Sequence, residues 1–169
     1  MIDTCDDYVL LQYSNYLELW KLGESNEDLN NKLNGDNLTI LRSPRKLLLL
    51  KSKNDLHIVC SSIGSEINNG SSQRTLWLAY SDINVIHIYR VEISFKNLLQ
   101  PAINISKINS LPLACGNRPA ILIKFFPANN QLRLCYLTNK SYLQTLKLER
   151  DQTGFMLEST IQCTQQGMK

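Results

Sequence analysis

Few residues of the types that act as nucleophiles or metal ligands occur in this sequence. It contains five cysteines, no two of them closer than 20 residues, and two histidines, His57 and His87. A cysteine nucleophile needs a base within hydrogen-bond reach, and His57 with Cys60 is the only such pair close in sequence. Three residues apart on a strand, their side chains would point to opposite faces. The pattern therefore predicts no catalytic cysteine, and the wide spacing indicates neither a zinc site nor a disulfide framework.

Other chemical motifs are equally scarce. His87 lies in Val-Ile-His-Ile-Tyr, a setting typical of a packed or edge histidine rather than a ligand. The seven glycines are scattered singly, so no phosphate-binding loop is present. The carboxylate pairs Asp6-Asp7 and Glu27-Asp28 fall in polar segments rather than in a cleft. We therefore expect a protein that is not an enzyme, with no catalytic residue, cofactor, metal or small-molecule substrate.

Charge is unevenly distributed along the chain. Residues 1–37 hold eight acids and two bases, whereas residues 38–169 hold seven acids and sixteen bases. No acid occurs between Phe95 and Leu148, a stretch with seven bases. Such a stretch is typical of a solvated basic surface or of a surface that binds an acidic partner such as RNA. The residues that we select as candidate RNA or partner contacts are Arg118, Arg133, Lys140 and Lys147.

The sequence also predicts no membrane partner and no secretion. No apolar run approaches the roughly twenty residues that cross a bilayer. Residues 1–7 are acidic where a signal peptide would be basic.

Short apolar runs separated by Asn, Ser, Gly and Pro predict an all-β chain, because no segment sustains a helical period. Two polar stretches, 23–37 and 65–74, are predicted loops. The predicted strands are 8–13, 16–22, 46–51, 57–63, 75–81, 85–93, 103–108, 120–126, 132–137, 142–148 and 155–161.

A strand–turn–strand hairpin recurs three times, near residues 8–22, 75–93 and 131–148. Two further strands lie between successive hairpins, and we group 47–50 and 58–63 with the second hairpin and 103–108 and 121–126 with the third. Four strands per unit are typical of the blades of a WD repeat protein. The whole chain, 1–169, is thus predicted to be a partial WD40-like β-propeller domain, with about two complete four-stranded blades plus parts of others.

Three residues are predicted to hold structural positions in these blades. Trp20 and Tyr89 stand where a WD repeat has its tryptophan, and Asp82 lies in the tight turn where a WD repeat keeps an aspartate. The histidine that normally bonds this aspartate is missing from its expected place. We therefore expect blades that depend on packing more than on a polar network.

Two segments resemble the cirhin family of WD-repeat proteins, components of the small-subunit processome. They are Leu10-Leu-Gln-Tyr-Ser-Asn-Tyr-Leu-Glu-Leu-Trp-Lys-Leu-Gly and, with an insertion at 65–74, Leu48-Leu-Leu-Lys-Ser-Lys-Asn-Asp-Leu-His-Ile-Val-Cys-Ser-Ser-Ile leading to Trp77-Leu-Ala-Tyr-Ser. The remaining residues match the family's order of strands more loosely. The resemblance implies an internal fragment of the second of two tandem propellers.

The family resemblance also implies a function. It is that of a non-catalytic scaffold in the nucleolus that takes part in ribosome biogenesis and in processing of the small-subunit ribosomal RNA precursor. The implied partners are other WD-repeat subunits of the processome, through protein–protein contacts, and the precursor RNA. The alternative is a direct RNA-binding module that uses the basic stretch 95–148. Residue types alone leave open which subunit each blade contacts and whether RNA is contacted directly.

Overall fold

The computed structural model describes residues 1–22, 44–66, 73–94, 101–113, 119–129, 131–149 and 154–163. Every regular element is a strand except a short 3-10 turn at Lys53–Asp55. The described strands are β1 (Ile2–Cys5), β2 (Tyr8–Gln12), β3 (Tyr16–Lys21), β4 (Arg45–Lys51), β5 (Cys60–Ser65), β6 (Gln73–Ser81), β7 (Val85–Ser94), β8 (Ala102–Pro112), β9 (Ala120–Ala128), β10 (Gln131–Thr138), β11 (Tyr142–Leu148) and β12 (Phe155–Gln162).

The strands form three four-stranded antiparallel sheets, each a simple up-and-down meander. The first sheet has the order β1-β2-β3-β4, the second β5-β6-β7-β8 and the third β9-β10-β11-β12. The first strands of the three sheets lie side by side, since β1 contacts β5 and β5 contacts β9. Sheets stacked in this way, with their first strands innermost, are blades, and the all-β chain is a partial WD40-like β-propeller.

The grouping of strands differs from the sequence prediction in two respects. Strand β4, which we grouped with the second hairpin, pairs with β3 and closes the first sheet. Strand β1 was not predicted, because four residues with Asp3 and Thr4 among them give no apolar run. With β1 and β4 added, the first hairpin becomes a complete sheet, and the described part of the chain has three complete sheets rather than about two.

Strand β5 begins at Cys60 rather than at His57. The preceding residues leave the first sheet through the 3-10 turn and stay extended without pairing in a ladder. The only helical element in the described part is that single turn, and no helix there is long and apolar enough to cross a membrane.

Two apolar cores lie between the three sheets. The core between the first and second sheets contains Leu10, Leu19, Ile63 and Leu78, all with 2% or less of their surface exposed. The core between the second and third sheets contains Trp77, Ile88, Ile123 and Leu134, and exposure there is equally low. The second sheet is therefore buried on both faces.

Burial on two faces explains why β6 shows no alternation of apolar and polar residues. Leu76, Leu78 and Tyr80 belong to one core, whereas Trp77 and Ala79 belong to the other. Strand β10 of the third sheet does alternate, with buried Leu132 and Leu134 between half-buried Arg133 and Cys135. The difference follows from position, because successive side chains of a strand point to opposite faces and only one face of β10 is covered.

Gly64 marks the closest approach between the second and third sheets. A Cβ atom placed on Gly64 would lie 2.5 Å from the Cβ of Phe125 on β9 and 2.8 Å from its Cγ. No side chain fits in that space. The innermost strands β5 and β9 can pack this closely only because residue 64 is glycine.

Candidate interaction surface

A chain of hydrogen bonds connects the innermost strands of all three sheets. The main-chain N–H of Phe125 donates to the Ser62 hydroxyl at 3.1 Å, and that hydroxyl donates to Asp3 Oδ2 at 2.8 Å. The N–H of Ile63 donates to the same carboxylate oxygen at 3.0 Å. Lys124 completes the cluster through an ion pair with Asp3 Oδ1. We call Asp3, Ser62 and Lys124 the axial cluster, because each lies on the innermost strand of a different sheet.

Electrostatics favours the ionised form of Asp3 in this cluster. Burial alone would raise the pKa of its carboxyl group, because desolvation penalises charge. The donors Lys124, Ile63 and Ser62 outweigh that penalty and hold the pKa below its ordinary value. The axial cluster therefore contains an ionised carboxylate, that of Asp3, which is bonded to residues of the two other blades.

A second buried network holds the second sheet together. Asp82 in the β6–β7 turn accepts hydrogen bonds from the N–H groups of Asn84, at 2.7 Å, and Val85, at 2.8 Å. Its other carboxylate oxygen lies 2.9 Å from His87 Nε2, and His87 Nδ1 lies 3.1 Å from Lys107 Nζ on β8. An ammonium group only donates, so Nδ1 accepts and Nε2 carries the proton given to Asp82. This arrangement links a turn and two strands.

The network corrects one sequence expectation and explains another. We expected no histidine for Asp82, because none stands where a WD repeat has one. The structure supplies His87 from within the same hairpin, five residues after Asp82, and this blade therefore does contain a polar network. The expectation that His87 is a packed residue agrees with its burial. Burial opposes the ionisation of Asp82, but the three donors keep its pKa below the usual range.

The two predicted aromatic positions have different surroundings. Tyr89 stacks beside Tyr80 at 6.0 Å between ring centroids, with Lys107 Nζ 6.0 Å from its ring. Trp20 is half-buried and donates from Nε1 to Glu18 at 3.0 Å. Lys46 lies over the Trp20 ring and also donates to Glu18 at 3.0 Å.

The four candidate RNA contacts do not form one cluster. Arg133 and Lys147 are direct cross-strand partners on β10 and β11. Lys140 is exposed in the turn at the other end of that hairpin. Arg118 lies outside the described residues, as do residues 23–37 and 67–72 of the two predicted loops.

Arg133 forms an ion pair with an acid on β12, two strands away in the same sheet. Its Nε lies 2.7 Å from Glu158 Oε2, and its Nη2 lies 2.9 Å from Glu158 Oε1, a bidentate ion pair. The guanidinium group also donates to the carbonyl oxygen of Ala128. Glu158 holds the pKa of Arg133 above its ordinary value. Lys147 is half-buried and also interacts electrostatically with Glu158, so Lys140 is the most accessible to phosphate among the three described candidates.

The third sheet presents one face that no other sheet covers among the residues that the structure describes. Cross-strand pairing places three rows of side chains on it. These rows, which define the outer face of the third sheet, are Leu122–Leu137–Leu143–Ile161, Lys124–Cys135–Thr145–Ser159 and Phe126–Arg133–Lys147–Met156. Leu122, Met156 and Ile161 are about half exposed, at 50%, 47% and 56%. This face combines an apolar row with basic groups.

The first sheet has a corresponding uncovered face. The rows that define the outer face of the first sheet are Ile2–Leu11–Glu18–Leu49 and Thr4–Val9–Trp20–Lys46. Ile2 and Leu49 are exposed, at 69% and 45%. The Glu18 carboxylate is nearly buried between Trp20 and Lys46. The donors Lys46 and Trp20 hold the pKa of Glu18 below its ordinary value.

The geometry of Cys60 and His57 offers no nucleophile. Cys60 is buried, its thiol donates to the carbonyl of Ala120 at 3.2 Å, and burial raises its pKa to about 12. His57 is exposed and precedes the strand. Within the described ranges, no three His, Cys, Asp or Glu side chains are grouped so that they could hold a metal ion.

Sequence reasoning missed two residues that the fold makes important. Ser62 was not selected, since a single serine in a strand carries no pattern, yet it joins three strands. Trp77, which we used only as part of a hairpin, is fully buried, donates from Nε1 to Glu66 at 2.8 Å and meets Phe155 edge-on at 5.2 Å. Its size in an apolar run was the one signal that could have identified it.

Comparison with known proteins adds two relatives. The chain is similar to the U3 small nucleolar RNA-associated protein 4 homolog of Homo sapiens, with 29% identity over 141 residues, and to that of Mus musculus, with 28%. These residues cover 79% of this chain but 18% of each relative, so the chain matches less than one fifth of their length. Both relatives have the same name, and it differs from that of cirhin. No protein-family profile matches the chain.

Proposed function

We propose that this chain is a non-catalytic scaffold module in ribosome biogenesis, within the nucleolar processome that matures the small-subunit ribosomal RNA precursor. The observation that carries the proposal is the combination of a three-blade fold with similarity, over 79% of the chain, to proteins named for association with U3 small nucleolar RNA. Blades of this kind offer broad faces and edges for binding rather than a catalytic pocket.

Contacts within the described residues support a scaffold rather than an enzyme. The best-connected polar groups, the carboxylates of Asp3 and Asp82, each accept hydrogen bonds from several donors. The cysteine nearest a histidine in sequence is buried as a thiol. The outer faces of the first and third sheets carry exposed apolar side chains beside basic groups, and partner subunits would bind there.

Localisation and RNA capture test this proposal. An epitope-tagged chain expressed in cells is expected to concentrate in the nucleolus and to co-precipitate U3 small nucleolar RNA together with WD-repeat proteins of the processome. A second small nucleolar RNA of similar abundance serves as the specificity control. Equal recovery of both RNAs, or a diffuse distribution with no enrichment of U3, would rule out the proposed role.

The alternative is that the chain itself binds RNA through the basic stretch 95–148. Lys140 and Lys147 lie on one hairpin and have no acid within that stretch, which favours contact with phosphate. The double variant Lys140→Glu/Lys147→Glu should weaken binding of a single-stranded precursor fragment. It should also lower the slope of log affinity against log salt by about 0.7 for each lost phosphate contact.

A matched control reverses two exposed bases elsewhere, Lys51→Glu/Lys53→Glu. Direct RNA binding through the basic stretch predicts that this control keeps its affinity, even with the same change in net charge. If both double variants bind RNA equally well, or lose RNA affinity equally, the RNA contact is not located at this hairpin. The proposal of a scaffold that binds protein partners is then preferred.

A further inference from the structure

The linker between the first and second sheets is hydrogen-bonded to a turn of each sheet. The main-chain N–H of Ile58 donates to the carbonyl oxygen of Ser14, in the β2–β3 turn, at 2.7 Å. The N–H of Val59 donates to the carbonyl oxygen of Ser81, where β6 ends, at 2.8 Å. The linker and the β6–β7 turn therefore lie side by side at the boundary between two sheets of the stack, away from its two outer faces.

The 3-10 turn in this linker is held in one conformation and presents an apolar side chain to solvent. Asn54 and Asp55 have φ angles of 57° and 54°, a left-handed conformation that residues other than glycine keep only where their surroundings fix it. The fixing bonds are present, since the Ser52 hydroxyl donates to the carbonyl of Leu56 at 2.6 Å and the Leu56 N–H donates to the carbonyl of Lys53 at 3.3 Å. Leu56 remains 39% exposed.

The β6–β7 turn presents a second apolar side chain in the same way. The Asp82 carboxylate, bonded to His87 and to two N–H groups of the turn, fixes the backbone on both sides of Ile83. Ile83 is nevertheless 54% exposed. An aliphatic side chain at the tip of a hairpin contributes little to the core. Two such side chains on adjacent, rigid turns therefore indicate an interaction surface.

The charge around these turns is basic. Lys51 and Lys53 are exposed, and within the described ranges neither takes part in an ion pair. The acids of the two turns already have donors, because Asp55 accepts a hydrogen bond from Asn15 Nδ2 at 3.4 Å and Asp82 is buried. The two lysines are thus available to an acidic partner.

We propose that the two turns form a docking site for an acidic segment of a partner protein that also carries apolar side chains. We call Lys51, Lys53, Leu56 and Ile83 the turn site. Leu56 and Ile83 would provide its apolar centre and the two lysines its charged rim, the arrangement typical of protein interfaces. The inference rests on the proposed scaffold role only for the class of partner, a protein.

Two properties of the turn site favour a protein over RNA. Its exposed apolar side chains are aliphatic, whereas sites for single-stranded RNA stack bases on aromatic rings. Its turns are already fixed by Ser52 and Asp82, so binding costs little further ordering of the main chain. A short segment with alternating acidic and apolar residues can then contact both the rim and the centre.

Fluorescence anisotropy with the purified 169-residue chain tests the chemistry of the site. The probe is a fluorescein-labelled peptide of about twelve residues that repeats Glu-Leu-Asp-Ser. One control peptide repeats Lys-Leu-Lys-Ser and has the opposite charge, and a second repeats Glu-Ser-Asp-Ser and lacks apolar side chains. We expect each control to bind at least about 10-fold more weakly than the acidic, apolar peptide.

Two double variants locate the binding on the protein. Leu56→Ser/Ile83→Ser should weaken the acidic, apolar peptide roughly 30-fold, because each side chain can bury about half of its surface. Lys51→Gln/Lys53→Gln should weaken it roughly 5-fold at low salt and reduce its salt dependence.

The matched controls change the same residue types at exposed or half-buried positions elsewhere, Ile105→Ser/Ile121→Ser and Lys140→Gln/Lys147→Gln. Both should bind like wild type, and circular dichroism melts check that every variant is folded.

Three results would overturn the inference. Wild type could bind the acidic and basic peptides equally, or bind neither. The control variants could lose as much affinity as the turn-site variants, which indicates non-specific association. A uridine oligonucleotide could bind in a way that depends on Lys51 and Lys53 while the peptide ignores Leu56 and Ile83, which assigns the site to RNA. A chain that fails to reach the nucleolus would contradict the proposed function but would leave these binding results unchanged.

Discussion

The hydroxyl oxygen of Ser62 accepts a 3.1 Å hydrogen bond from the main-chain N–H of Phe125, across the boundary between the second and third sheets. Ladder hydrogen bonds hold strands together within a sheet, but sheets that stack face to face are otherwise joined by apolar packing. This contact, extended by Ser62 to Asp3, fixes the relative position of three innermost strands. Its removal should therefore affect the boundaries between blades more than the blades themselves.

Ser62→Ala should lower the free energy of unfolding by about 2 kcal/mol, because it leaves the buried N–H of Phe125 without its acceptor and removes one donor to Asp3. For a chain of this size the melting temperature should fall by about 4–8 °C. Urea unfolding followed by circular dichroism measures the change. Ser110→Ala, at an exposed position of β8, is the control and should change stability by less than about 0.5 kcal/mol. Equal stability of the two variants would mean that the axial hydrogen bonds contribute nothing net.

Gly64→Ala should destabilise the protein by about 1–3 kcal/mol, since the added methyl group would overlap the Cβ and Cγ atoms of Phe125. The Cβ of Phe125 is attached to the β9 main chain, so relief requires the two sheets to separate. Hydrogen exchange should become faster in β5 and β9 and stay unchanged in β2 and β3. If alanine is accepted with no loss of stability, the innermost strands are less closely packed than the structure indicates.

Asp82→Asn should remove a contribution to stability that depends on pH in a defined direction. The folded-state pKa of Asp82 is depressed, so its stabilising effect is present above the unfolded value of about 3.9 and is lost as the pH falls through the lower folded value. Wild type should exceed Asp82→Asn by about 2 kcal/mol between about pH 5 and 7, and the difference should shrink below about pH 4. Chemical unfolding at a series of pH values measures it.

The control for that series is Asp7→Asn, which removes a surface ion pair with Lys21 at 3.5 Å. Such pairs contribute at most about 1 kcal/mol. An Asp82→Asn deficit that persists unchanged at acidic pH would show that the carboxylate charge is not what His87, Asn84 and Val85 recognise.

Cys60 should resist thiol reagents in the folded protein. Burial raises the pKa of its thiol to about 12, so the reactive thiolate is scarce at pH 8, and the side chain is inaccessible. Cys163 is exposed and should react with iodoacetamide before Cys60 does, as followed by mass spectrometry. Cys60 should react only when urea unfolds the chain. Labelling of Cys60 and Cys163 at similar rates in native buffer would contradict the packed boundary between the second and third sheets.

The local pattern of apolar and polar residues in the sequence was sufficient to predict the fold class and most of the strands. Around Tyr8, Trp77 and Leu134, apolar runs of strand length are followed by polar turns. The two strands of each hairpin are therefore neighbours in sequence and pair with each other. The position of Asp82 in its turn could also be predicted from the sequence, because an aspartate that accepts hydrogen bonds from main-chain N–H groups two and three residues ahead is a local feature.

Only the tertiary structure decided which strands share a sheet and which polar groups meet. Strands β4 and β5 are neighbours in sequence, but they belong to different blades. The blade that each strand joins depends on its pairing, β4 with β3 and β5 with β6, rather than on its own residues. Asp3 lies 59 residues from Ser62 and 121 residues from Lys124, and the three residues meet because three innermost strands converge. Arg133 looked like a free base but lies against Glu158, 25 residues away. The physical reason is the same in each case: hairpin contacts follow from local spacing, whereas contacts between distant strands depend on how buried faces stack.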